Sequence, residues 1–176
     1  MLVRAAGAGK HGEQMHQESQ QAARELGVLL LRRRLSLAAA ESCTGGWLAK
    51  LVTDIPGSSG WFERGFVTYS NTAKVEMLGV SERTLREQGA VSAATVNEMA
   101  QGALARSHAD IAVAISGVAG PDGGSAEKPV GLVWIAWALR GQSAQAERFQ
   151  FGGDRESVRL QAAQAALQGL IRRLTA

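Results

Sequence analysis

A chain of 176 residues, 45% hydrophobic and 20% charged, is long enough to bury one full core without metals or disulfides. Its apolar stretches fall short of the roughly 18 consecutive residues of a membrane helix, and the opening MLVRAAGAGKH lacks the apolar centre of a secretory signal, so a soluble protein is expected and no export is implied. Nineteen Lys plus Arg against 16 Asp plus Glu give a net charge of +3, which suits an anionic small molecule as well as nucleic acid, while a lone Cys43 excludes an internal disulfide, gives no support to a metal site and fits a reducing cytoplasm.

Residues 1–12 read as a disordered tail ahead of a single domain spanning 13–176. From about Glu13 to Arg34, Met15, Ala22, Ala23, Leu26, Leu29 and Leu30 recur at helical spacing and predict an amphipathic helix. Leu35–Ala40 is small and apolar and predicts a strand, followed after Ser42–Gly46 by a helical run, Trp47–Val52. The Pro, Gly and Ser of Ile55–Gly60 mark a loop, and Gly65–Tyr69 reads as a second strand. Asn71 is a suitable N-cap and Gly79 a suitable stop for a helix over Thr72–Leu78; Ser81 and Gly89 bound another short helix. Ser92 caps a longer helix to about Arg106, with Val96, Met99, Ala100, Ala103 and Leu104 on its buried face.

Asp110–Ser116 is nearly continuous apolar sequence, as in a strand buried on both faces, and it opens into the glycine-rich Gly117–Ser125. Val130–Leu139 and Ala144–Phe151 predict two strands of a hairpin turning at Gly141, and Asp154 caps a closing helix that runs to about Leu174. Helices alternating with strands, plus a late hairpin, predict an α/β fold, a three-layer α/β/α sandwich whose mixed sheet holds one antiparallel strand. Ligands in such folds gather beyond the strand ends, where AESCTGG, TYSNTAK and SGVAGPDGGS all fall.

Ser42 stands at a strand end before Thr44, Gly45 and Gly46, whose backbone N–H groups are candidates to bind an anion or to stabilise the oxyanion of an attacked amide. Alone, it reads as a helix cap. A serine nucleophile needs a base, and Lys74, three residues after Asn71, sits in a first helical turn where the dipole and burial lower an amine's pKa. Tyr69, the single tyrosine, is placed to relay a proton between them or donate to a leaving nitrogen. Asn71, Gly117, Gly120, Gly123 and Gly124 complete the candidate substrate-binding set: the third loop matches neither a Walker A loop nor GxGxxG, yet its amides suit a phosphate, with Lys128, Arg64 or Arg155 as charge partners. Cys43 is the rival nucleophile.

The stretches AESCTGGWLAKLVTDIPGSSGWFERGFVTYSNTAK and SGVAGPDGGSAEKPVG resemble the CinA C-terminal family, the nicotinamide-nucleotide amidohydrolases, with the three loops in the family's order over roughly Glu13–Leu174. The resemblance implies a five-stranded mixed sheet, hydrolysis of nicotinamide mononucleotide to nicotinate mononucleotide and ammonia, no cofactor and no metal. It also implies Ser42, Tyr69 and Lys74 as the catalytic set. Its partner would be a small pyridine nucleotide; nucleic acid is disfavoured, since Arg32–Arg34 and Arg172–Arg173 cluster at helix ends, and a homo-oligomer is left open. The rival reading is a non-catalytic nucleotide-binding or competence-associated partner module.

Overall fold

The computed structural model describes residues 6–176, with side chains from residue 12 onward. The first helix, α1, spans Ala6–Arg33 and not Glu13–Arg34. Residues 6–12, expected in the tail, extend it by nearly two turns, although three of these seven residues are glycine, a weak helix former; residues 1–5 of that expected tail lie outside the described residues.

After α1 the chain runs β1 (Leu37–Glu41), α2 (Trp47–Thr53), a 3-10 turn (Ser58–Gly60) and β2 (Phe62–Val67). Then come α3 (Asn71–Leu78), α4 (Glu82–Gln88), α5 (Ala93–Ala105), β3 (Ile111–Gly117), β4 (Leu132–Leu139), β5 (Gln145–Gln150) and α6 (Arg155–Thr175). The five strands form one sheet in the order β2-β1-β3-β4-β5, with β1 parallel to β2 and β3, and β4 antiparallel to both of its neighbours. One strand therefore opposes the rest, as the late hairpin implied.

Alternation along β1 explains the layering. Leu37 and Ala39 face a core shared with α1, α2 and α6, whereas Ala38 and Ala40 face a second core built on α5. Small residues on that second face let α5 lie close to the sheet. Gly102 of α5 does the same for α3: a Cβ there would fall 1.9 Å from the Leu78 carbonyl oxygen. On the first face, Trp137 of β4 is buried, donates from Nε1 to Ala166 O at 3.0 Å and packs where Gly169 leaves room.

Two expected boundaries move. β2 starts at Phe62 and ends at Val67, so Tyr69 lies beyond the strand and not at its end; as an edge strand with both faces partly exposed, β2 carries little apolar alternation to mark it. The cap of α3 is Ser70, whose Oγ accepts from Ala73 N at 3.0 Å, and Asn71 is the first helical residue. Both residue types suit a cap, and the sequence alone does not choose between neighbours.

The connection leaving β1 drops to α2 on one face, and that leaving β2 drops to α3 on the other. Connections that part to opposite faces open a crevice at the carboxyl ends of adjacent parallel strands. The cleft lies there.

Candidate active site

Ser42 extends β1 by one hydrogen bond, from its N–H to Ile115 O at 3.0 Å, and then the chain turns sharply. Gly45 (φ 57) and Gly46 (φ 97) take the left-handed conformation that a side chain would oppose. The start of α2 is closed by the residue before the serine. Buried Glu41 accepts from Gly46 N at 3.0 Å and Leu48 N at 3.1 Å through Oε2, and from Ala49 N at 2.8 Å through Oε1.

That carboxylate corrects the expectation for the glycines. The Gly46 N–H is held by Glu41 and the Gly45 N–H by Ser42 O at 3.0 Å, so neither is available to an oxyanion. Among the described residues, no hydrogen bond leaves the N–H of Cys43 or Thr44. Of these two residues, Cys43 lines the cleft and Thr44 is wholly buried.

Lys74 enters from α3 and is 1% exposed. Its Nζ lies 2.9 Å from Ser42 Oγ, 2.7 Å from Thr68 O and 3.5 Å from Tyr69 O. Burial pulls its pKa down from 10.5 to about 8, because the charged form loses hydration. In the neutral amine the two protons have carbonyl partners in Thr68 and, more weakly, Tyr69, which leaves the lone pair facing the serine hydroxyl.

The Ser42–Lys74 contact is direct, so no relay between them is needed. Tyr69 is 62% exposed, and its hydroxyl accepts instead from Arg155 Nη2 at 3.0 Å. Arg155 also donates through Nη1 to Gly120 O at 2.8 Å, bridging the second and third loops. Together with Ser42 and Lys74, the residues Tyr69, Ser116, Gly117 and Arg155 line a cleft of about 210 Å³.

Of the other expected substrate-binding residues, Asn71 lies on a separate groove between α3 and α4, and Thr44 is wholly buried behind the turn. Gly120, Gly123 and Gly124 do not line the cleft. Their glycines answer backbone needs: Gly120 and Gly123 have φ 82 and 85, and a Cβ on Gly124 would press on Val130 N at 2.9 Å. Gly117 lines the cleft and also lies too close to Val133 for a side chain. Among the proposed charge partners, Arg64 is turned to Glu63 and Arg106 O, and Lys128 to Gln88 O; Arg155 alone reaches the cleft.

Cys43 is a poor rival. Burial pushes its thiol up to about 12, far above the range in which a thiolate forms at neutral pH. A larger groove of about 780 Å³ between α1 and the start of α6 is walled by His16, Trp47 and Leu160, and its Asp154 accepts from Ser157 N at 2.8 Å as the cap of α6.

Sequence reasoning passed over Glu41, Ser116 and Arg159. Arg155 and Arg159 carried a usable signal, since cations at the start of a helix oppose its dipole and so need another reason to be there. Glu41 offered a weaker one, an acid just ahead of a helix start.

Comparison with known proteins follows the same outline. The family described as CinA C-terminal domain matches residues 19–174. The chain is 57% identical over 153 residues to nicotinamide-nucleotide amidohydrolase PncC of Escherichia coli (strain K12), covering 87% of this chain and 93% of that protein. It is 54% identical over 149 residues to the protein of the same name from Pseudomonas putida, covering 85% and 92%. Among solved structures, the competence/damage inducible protein CihA from Agrobacterium tumefaciens superposes with a TM-score of 0.87 at 46% identity, covering 90% of this chain and 96% of that one. The competence damage-inducible protein A (ComA) from Klebsiella pneumoniae subsp. pneumoniae MGH 78578 gives 0.86 at 41%, covering 89% and 97%. Among the described residues no helix is long and apolar enough to cross a membrane.

Proposed function

The chain belongs to the CinA C-terminal domain family, and from that premise we propose that it is an amidohydrolase that converts nicotinamide mononucleotide and water to nicotinate mononucleotide and ammonia, with Ser42 as nucleophile and Lys74 as base. The observation that carries this reading is the 2.9 Å approach of a buried amine to a serine hydroxyl inside a cleft. Two residues 32 apart in sequence have no structural need to meet there, and a buried lysine without a carboxylate partner costs stability.

Neutral Lys74 accepts the hydroxyl proton as Ser42 Oγ bonds to the carboxamide carbon and the carbonyl π pair moves onto oxygen. The N–H of Cys43, which lines the cleft and has no hydrogen-bond partner among the described residues, receives that negative charge. The Lys74 ammonium then protonates the nitrogen, the C–N bond breaks and ammonia departs, leaving an ester on Ser42. Water repeats the attack, with Lys74 taking its proton and returning it to Oγ as the C–O bond breaks.

A cleft of about 210 Å³ is smaller than the ~300–1,000 Å³ of sites that enclose a whole ligand. It takes the carboxamide-bearing ring, and the ribose phosphate lies across the mouth. Arg155 supplies a cation there, held by the Gly120 carbonyl and the Tyr69 hydroxyl, so Tyr69 acts at the mouth and not as a relay.

The test is incubation with nicotinamide mononucleotide and an ammonia assay, beside Ser42→Ala. The wild type should release ammonia and the variant should lose at least about 10³-fold in kcat while keeping its circular dichroism spectrum. Full turnover without the hydroxyl would return Ser42 to a purely structural place in the turn.

A further inference from the structure

The helix that follows the nucleophile is capped from the other side of it. The N-cap of α2, Gly46, has no side chain to bond an amide, and the carboxylate that does so belongs to Glu41, five residues upstream and beyond Ser42. A Ser or Asp at the cap itself would serve a helix alone, without the cost of placing a carboxylate where it is 1% exposed.

Glu41 is the last residue of β1, fixed between Val67 of β2 and Ile115 of β3. Along β1, Leu37 and Ala39 face the core that includes α2, and Ala38 and Ala40 face the core built on α5. The same alternation sends the Glu41 side chain toward α2. It sets Ser42, still tied to β3 through Ile115 O, on the side from which α3 brings Lys74. The chain must then cross from that side back to α2 within residues 43–46, and any slack in the crossing would turn Ser42. The three bonds from Gly46, Leu48 and Ala49 close the crossing into a loop that begins and ends on Glu41.

The base hangs from the same residue. Glu41 O accepts from Thr68 N at 2.8 Å, and Thr68 O accepts from Lys74 Nζ at 2.7 Å. Both ends of the 2.9 Å contact between Oγ and Nζ are therefore anchored on Glu41. Its side chain fixes the turn that carries Ser42, and its carbonyl holds Thr68, which receives the amine.

We propose that Glu41 is a positioning residue that holds the Ser42 hydroxyl against the Lys74 amine; this rests on the amide-hydrolysis reading given above. Glu41 does not line the cleft and touches no substrate. With the turn closed, the proton passes from Oγ to Nζ as Oγ bonds to the carbonyl carbon, and the hydroxyl has no search to make for its base. An ionised carboxylate suits the role because both of its oxygens only accept, whereas the side chain of Gln offers one accepting oxygen and an NH2 group that opposes a backbone N–H.

Steady-state hydrolysis of nicotinamide mononucleotide by wild type, Glu41→Gln, Glu41→Ala and Ser81→Ala tests it, each assayed well below its melting temperature. Ser81 caps α4 by accepting from Arg83 N, so Ser81→Ala is a control that loses a cap away from the cleft. Glu41→Gln, nearly the same shape, should lower kcat about tenfold and Glu41→Ala about 100-fold, with KM within about twofold in both. In both, kcat/KM should still level near pH 8, because burial and not Glu41 lowers the pKa of Lys74. Ser81→Ala should melt at a lower temperature and keep wild-type kcat. Should Glu41→Ala fail to fold, Glu41→Gln decides alone. Wild-type kcat in either folded Glu41 variant, a loss confined to KM, a displaced pH plateau, or an equal loss in Ser81→Ala overturns the proposal. If wild type releases no ammonia, or Ser42→Ala still releases it, amide hydrolysis by Ser42 is what fails, and the role of Glu41 falls with it.

Discussion

At the scale of single residues, Lys74 contributes to the instability of the site and, on the proposed mechanism, sets its working pH. Its pKa near 8, against 10.5 in the unfolded chain, means that the folded protein releases this proton first. Between those values the unfolded state binds more protons, so stability should rise with pH from about 8 to 10.5 and stay flat below that window. Holding a charged Lys74 at pH 7 costs about 3 kcal/mol on this shift. Lys74→Met removes that cost but strips Thr68 O of its donor, a loss of about 1–2 kcal/mol. The variant should be inactive, yet more stable than wild type by about 1–2 kcal/mol in urea at pH 7, and its stability should lose the rise above pH 8. In wild type, kcat/KM should climb about tenfold per pH unit until it levels near pH 8. A variant that keeps the alkaline rise would place the titrating group elsewhere. Ser42, Lys74 and Arg155 were legible from residue type and position; the company kept by Tyr69 was not, since a hydroxyl's partner depends on which loop folds over it.

At the scale of elements, what brings Lys74 to Ser42 is the seating of α3 on α5. Gly102 makes that seating possible, with Leu78 O lying where a methyl group would go. Gly102→Ala should destabilise the protein by about 1–3 kcal/mol or more and cut turnover, because α3 must shift and carry the amine away from Oγ. Gly152→Ala, which meets nothing within 4 Å, is the matched control and should leave melting temperature and activity unchanged. If the two alanines behave alike, close packing at Gly102 does not position the base. Helices were legible because their caps and stops are local: Ser81, Ser92, Asp154 and Gly79 act where expected. The glycine-rich third loop, read from its composition as a ligand loop, also answers a backbone need: glycine marks a backbone that bends or is approached closely, and Val130 approaches Gly120 and Gly124.

At the scale of the whole molecule, the cleft is a seam between two layers. One wall follows β1 toward α2 and the first core, and the other follows β2 toward α3 and the second. A ligand seated there ties the layers together and should raise the stability of the entire domain. Nicotinate mononucleotide at about 100 times its Kd should add about 2.7 kcal/mol, visible as an upward shift of the melting temperature. No shift at any concentration would mean that this cleft is not its site. The three-layer plan with a single opposed strand was readable from the order of helices and strands, because burial periodicity is written into most segments, β2 excepted. The hydrogen bonding of the turn after Ser42 was not, because it draws on remote partners such as Arg159.

Glu41 has a consequence for which rings the site tolerates. A bare helix start presents about half a positive elementary charge, which would push away a heterocycle that is itself cationic. By capping three amides of α2 with its own carboxylate, the residue beside the nucleophile quenches that local field. A pyridinium then meets no repulsion from that helix start, and discrimination between it and an uncharged pyridine passes to the groups at the rim.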